Sequence, residues 1–185
     1  TFASTAVLSG SGQVLGETLM PGQITPAGDG VGTLTFADAL TLSDPSWLLL
    51  DLGGVDPGQF DVIQATGPIT IDGTLEVRLA DLGAGLHQPE AGDLFTVLEG
   101  ESISGVFDTL LLPELSDGLE WELETLAESA VLAVVTIQSA DVNLDGTVDG
   151  ADFLALQRDT PSLISDWQAN FGVSDNNSFA AAAAI

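Results

Sequence analysis

The sequence predicts a mainly β protein, a β-sandwich or a short β-solenoid, with a small C-terminal unit built from a calcium loop and two short helices. Three observations lead there. From residue 1 to about residue 138, Gly and Pro punctuate short runs of Val, Ile, Leu, Thr and Phe, the pattern of strands joined by turns. No helical stretch of roughly 10–15 residues separates these runs, which argues against an α/β fold. After Ser139 the composition changes to an Asp-rich loop, then to apolar residues at helical spacing. The expected organisation is a β-rich region over 1–138, a loop with two helices over 139–174, and an Ala-rich tail over 175–185.

Candidate strands are Gln13–Leu19, Thr33–Phe36, Trp47–Leu52, Phe60–Ala65, Thr74–Leu79, Leu94–Leu98, Gly105–Leu111, Leu119–Thr125 and Ala130–Ile137. Successive strand side chains point to opposite faces. Leu75, Val77 and Leu79 therefore face one way, and Thr74, Glu76 and Arg78 the other. In the same manner Leu119, Trp121 and Leu123 face inward, and Glu120, Glu122 and Glu124 outward. A weak repeat is visible: Gly-Thr-Leu-Thr-Phe at 32–36 returns as Gly-Thr-Leu-Glu-Val at 73–77. Such repeats suit stacked coils or similar hairpins.

Charge narrows the function. The 185 residues include 28 acidic and two basic side chains, Arg78 and Arg158, for a formal net charge of −26. Yet 45% of residues are hydrophobic. A disordered acidic tail combines high charge with low hydrophobicity, so this chain is expected to bury a core. Phosphate backbones are bound by clustered Lys and Arg, so nucleic acid is not an expected partner. Anionic lipid is disfavoured for the same reason. A divalent cation is favoured. The longest apolar stretch, Ala130–Ile137, is far short of the roughly 20 residues of a membrane span. There is no Cys, and His87 is the one His, so neither a thiolate metal site nor a His-dependent catalytic centre is expected. The chain begins at Thr1 rather than Met, as expected of a mature product or a fragment.

The sharpest motif runs from Asp141 to Asp152. Ca²⁺ takes six to eight oxygens, which a 12-residue loop supplies from positions 1, 3, 5, 7, 9 and 12 with Gly at 6. Here those positions hold Asp141, Asn143, Asp145, Thr147 through its carbonyl, Asp149 directly or through water, and Asp152, with Gly146 at the turn. Val148 is the apolar position that packs inward. Four of the seven acids after residue 140 fall in this loop. The plainer reading is an Asp-rich turn on a solvated surface. Ala151–Arg158 reads as the exit helix. Thr160 and Pro161 read as N-cap and first residue of a second helix. Leu163, Ile164, Trp167 and Phe171 form its apolar stripe, and Gly172 its stop.

Two resemblances follow from these residues. The order of Val31–Phe36, Leu48–Gly54, Phe60–Gly67, Asp72–Val77, Ala91–Leu98 and Ser102–Asp108 resembles the closing segment of autotransporter-passenger-like β-repeat proteins. That resemblance covers about residues 10–137 and implies an extracellular β-solenoid or sandwich without enzymatic activity. The region 141–172 resembles the type I dockerin-related segments of planctomycete-type surface proteins, because position 12 is Asp and no helix precedes the loop. Dockerins carry two calcium loops. Here Asp159–Leu163 cannot chelate, and Asp175–Ser178 lacks the Asp-x-Asp-Gly core. Binding of a cohesin-like partner is thereby put in doubt.

Other site types are weighed on the same residues. Glu120, Glu122 and Glu124 stand roughly 7 Å apart along a strand, a spacing open to an inverting glycosidase pair. Their alternation reads more simply as a solvated face. His87 lies in a loop and is expected at the surface. Trp47, Trp121 and Trp167 are expected in cores rather than as sugar platforms. The function expected is an extracellular or cell-surface structural protein, not an enzyme, that self-associates into a filament, sheath or matrix stabilised by Ca²⁺. The alternatives are a docking module for a cohesin-like protein and a carbohydrate-binding domain.

Overall fold

The computed structural model describes residues 2–28, 30–116, 118–136, 140–142, 147–159 and 164–172. The protein is mainly β. Its strands are β1 Val7–Ser9, β2 Gly12–Val14, β3 Thr18–Met20, β4 Gln23–Thr25, β5 Thr33–Phe36, β6 Leu40–Leu42, β7 Trp47–Leu52 and β8 Val62–Ala65. They continue as β9 Ile69–Ile71, β10 Thr74–Leu79, β11 Leu94–Glu99, β12 Ile103–Gly105, β13 Thr109–Leu111, β14 Leu119–Thr125 and β15 Ser129–Thr136. Two helices follow, α1 Gly150–Asp159 and α2 Ile164–Asn170.

Three sheets form, in the orders β1-β4-β7-β10-β13, β14-β15-β11-β8-β5-β2 and β12-β9-β6-β3. Among β1 to β13 every pairing joins strands three apart in the chain, and every one is parallel. Register then lines up like residues. Leu8, Ile24, Leu48, Leu75 and Leu110 are successive partners across the first sheet. Leu34, Ile63 and Leu98 align in the second, and Leu40, Ile69 and Ile103 in the third. Ile24, Leu48, Leu75, Ile63, Leu98 and Ile69 are buried. Each fully buried aliphatic side chain contributes about 1.5–3 kcal/mol, so these rows supply much of the driving force for stacking.

Beyond β13 the direction changes. β15 runs antiparallel to β11, with a register shift between Thr96 and Leu98. The Gly92 amide donates to the Val134 carbonyl at 2.8 Å, and the Val134 amide to the Asp93 carbonyl at 2.9 Å. Phe95 on β11 is fully buried. Phe60 and His87 meet it edge-on at centroid distances of 5.5 and 5.9 Å, and Trp121 lies 6.0 Å away. The Trp121 indole donates to the Pro113 carbonyl at 2.9 Å, which satisfies its one polar atom.

Several expectations change. The run Gln13–Leu19 is two strands, because Gly16 adopts a positive φ of 81°, a conformation open to Gly. The repeated Gly-Thr-Leu segments do not stack, since β5 lies in the second sheet and β10 in the first. Trp47 is not a core residue: it is 39% exposed, and its indole donates to Glu76 Oε2 at 2.9 Å. His87 is not an exposed surface residue, since its ring lies half-buried against Phe95.

The chain divides into two compact units, residues 1–116 with 121–134 and residues 117–120 with 135–185. In the second, Ala140, Val148 and Leu156 form a small core against which Ile164 and Trp167 pack. Trp167 lies 4.5 Å from Phe153 and 4.9 Å from Phe171 between ring centroids. The Gly172 amide donates to the Val148 carbonyl at 2.9 Å. Thr160, Pro161 and Leu163, read from sequence as the start of the second helix, lie outside the described residues, as does the tail.

Candidate functional site

The second unit holds the predicted cation loop. Its geometry begins with the start of α1. A helix leaves its first amides without intrahelical partners. Asp149 precedes the helix as N-cap, and its Oδ1 accepts from the Ala151 amide at 2.7 Å. Asp152 Oδ2 accepts from the Asp149 amide at 2.8 Å. The two residues reproduce a reciprocal capping arrangement, with Asp in place of the usual Ser or Thr and Glu. The other oxygen, Asp152 Oδ1, accepts from the Val142 amide at 2.8 Å. One fully buried carboxylate thus joins the second and ninth positions of the loop.

The remaining positions fit around this clasp. Asp141 is buried, and Thr147 and Asp149 are half-buried. Val148 is fully buried in the small core, as its place in the loop predicts. The Asp149 carbonyl accepts from the Trp167 indole at 2.6 Å. Asn143, Asp145 and Gly146, the middle of the expected chelating set, lie outside the described residues. Among the described residues no three carboxyl or imidazole groups are gathered to hold a metal. The donor chemistry is all oxygen, which suits a hard cation. A carboxylate oxygen can accept more than one donor.

The β unit carries other polar features. Asp61 is fully buried. Its carboxylate accepts from the Gly32 amide at 2.7 Å and the Asp51 amide at 3.0 Å. Burial pushes its pKa up to about 7, against the lowering effect of those two hydrogen bonds. The sequence reading did not single it out; its one local signal is an Asp directly after Phe60 at the start of an apolar run. On the outer face of the first sheet, Glu76 receives the Trp47 indole on one oxygen and the Arg78 guanidinium on the other, the latter at 2.7 Å. An open cleft of about 510 Å³ on the second sheet is lined by Thr35, Gln64, Glu99 and Glu128, with Gln64 Nε2 donating to Glu99 Oε2 at 2.6 Å. Glu120 and Glu122 are exposed on β14, and Glu124 is half-buried.

No family model matches the chain. A segment of 71 residues, 37% of the chain, is 41% identical to the adhesin BmaC autotransporter of Brucella suis biovar 1 (strain 1330). The chain spans about 2% of the length of that relative. The similarity agrees with the passenger-like β-repeat resemblance and does not extend it to the whole relative.

Proposed function

We propose that this chain is a surface-exposed, adhesin-like structural segment whose β unit is a solenoid of three-strand coils. The observation that carries the reading is the strict pairing of strands three apart, in parallel, through all of β1 to β13. A sandwich pairs neighbouring antiparallel strands, whereas a coil returns to the same sheet after each turn and stacks on itself. The partial similarity to an autotransporter adhesin supports the surface location. The outer faces bear Gln, Thr, Glu and Asp side chains, as solvent contact requires. No catalytic role is assigned to any residue. Antibody raised against the purified chain should label intact cells of the source organism. Labelling only after lysis would overturn the surface role.

The same reading includes self-association and a structural Ca²⁺. Asp141, Asn143, Asp145, Thr147, Asp149 and Asp152 would hold the ion, and their all-oxygen donor set at this spacing is what supports the assignment. A second reading, docking of a cohesin-like protein on the helical unit, is favoured by Leu154 and Phe171, which are 68% and 60% exposed on or beside the helices. Loss of these two side chains would weaken docking and leave Ca²⁺ affinity unchanged.

A further inference from the structure

The outer face of the first sheet carries an exposed aromatic ring. Ile24, Leu48 and Leu75 are buried on the inner side. Their neighbours Gln23, Trp47 and Thr74, which are register partners, therefore point outward. Thr109 extends the row onto β13. Neighbouring strands lie roughly 4.8 Å apart, so the row is about 14 Å long, the reach of an oligomer rather than of one small molecule.

Trp47 is fixed as well as exposed. Its indole donates to Glu76 Oε2 at 2.9 Å, and Glu76 lies two residues beyond Thr74, the direct partner of Trp47. An aromatic side chain reaches such a diagonal neighbour by leaning along the sheet. Leu49, on the same outer face and paired with Glu76, is only 7% exposed, which fits a ring laid along the sheet. One face of the indole is thus turned to the sheet and the other to solvent, with 39% of the residue exposed. Arg78 holds the second Glu76 oxygen at 2.7 Å. Ordering a large exposed side chain costs conformational entropy, and a ligand that meets a platform already in place is spared that cost.

Charge selects the ligand. A polyanion meets a chain of net charge −26. A cation finds no free carboxylate at the ring, because Glu76 is already paired with Arg78. A neutral polyhydroxyl chain meets neither obstacle. Its C–H faces pack on an indole as other apolar surface does. Its hydroxyls find the Gln23 amide, the Thr74 and Thr109 hydroxyls and the outer N–H groups of Arg78, a side chain 58% exposed. We propose that this row binds a neutral polysaccharide, one pyranose ring of which stacks on Trp47. The inference names a ligand class for the adhesin-like surface segment proposed above and rests on that reading.

Titration calorimetry of the chain with three neutral hexasaccharides, cellohexaose, mannohexaose and chitohexaose, tests this. At least one is expected to bind with a Kd below about 1 mM. Trp47→Ala should weaken that binding at least about tenfold with an unchanged circular dichroism spectrum. Glu76→Ala, which frees the ring without removing it, should weaken it less. Binding that is unchanged in Trp47→Ala would remove this site. Tighter binding of hexagalacturonate, or of fully deacetylated chitohexaose, would overturn the neutral ligand. Self-association lost in Trp47→Ala would make the ring a contact between copies and overturn the proposal. So would failure of all three neutral sugars to bind, and labelling of intact cells would still decide the surface role by itself.

Discussion

The Asp61 carboxylate accepts the backbone amide of Gly32, 29 residues earlier, at 2.7 Å. Its other oxygen accepts from Asp51, and the Asp61 amide donates to the Asp51 carbonyl at 2.9 Å. One buried side chain thus ties the entry to β5, the C-terminal end of β7 and the entry to β8.

This tie makes stability depend on pH. Burial holds the folded pKa near 7, above the ordinary value of 3.8. The folded state therefore binds a proton that the unfolded state releases between those values. The contribution is fully present below pH 3.8, and it is lost as pH rises toward 7. The loss is on the order of a few kcal/mol. Thermal melts from pH 4 to 8 should show it. Asp61→Asn should flatten this slope and, by turning an amide donor toward a backbone N–H, destabilise by about 1–3 kcal/mol. An unchanged slope in the variant would remove Asp61 as its cause.

Calcium should stabilise the helical unit. A ligand that binds only the folded form raises its stability by linkage. Chelation should lower the melting temperature or loosen assembly, and calorimetry should show tight binding lost in Asp145→Ala. Equal affinity in the variant would refute the loop assignment.

Asp152 should matter even without metal, because it caps α1 and clasps Val142. Asp152→Ala in chelator should cost about 1–2 kcal/mol. Denaturation monitored by Trp167 fluorescence checks this. A variant as stable as the parent in chelator would reduce Asp152 to a metal ligand alone.

Gly73 tests the tightness of stacking. It has a positive φ of 78°, and a Cβ there would lie 2.4 Å from the Ser46 carbonyl oxygen. The neighbouring Ser46 hydroxyl donates to the Asp72 carbonyl at 2.8 Å. Gly73→Ala should destabilise by more than the roughly 1 kcal/mol of a strain-free Gly change, read as a lower urea midpoint. No change in midpoint would mean that these turns can part without cost.

Leu75 tests the inner row. It is fully buried between Leu48 and Leu110. Leu75→Ala should cost about 2–5 kcal/mol, measured by urea denaturation. A cost below about 1 kcal/mol would mean that the row is not the core.

Much of the strand content is legible from sequence, because turn residues and period-2 alternation are local signals. Thr74–Leu79 and Trp47–Leu52 appear with the bounds that their composition suggests. Pairing is not local. Gly-Thr-Leu recurs at the start of β5 and β10, yet the strands enter different sheets, since similar turns serve more than one corner. Arg78 is legible as an outward residue from its alternation with Leu75, Val77 and Leu79, whereas Trp47, expected in the core, shows its outward position only by meeting Glu76. The proposed cation loop rests on spacing in the sequence. The double use of Asp152 is not, because backbone amides carry no sequence signature.

The step-of-three pairing also sets how far apart in the chain partners lie. Val7 pairs with Gln23, Gln23 with Trp47, Trp47 with Thr74, and Thr74 with Thr109. Those separations are 16, 24, 27 and 35 residues, so they lengthen toward the C-terminus. Loop closure costs more entropy as the loop grows, and short-range contacts form faster. The first parallel pairings can form while the rest of the polypeptide is still emerging. β15, the last strand in chain order, pairs antiparallel with β11 and joins a sheet whose parallel pairs lie earlier in the chain. Folding then has a direction, set by the lengthening of the turns.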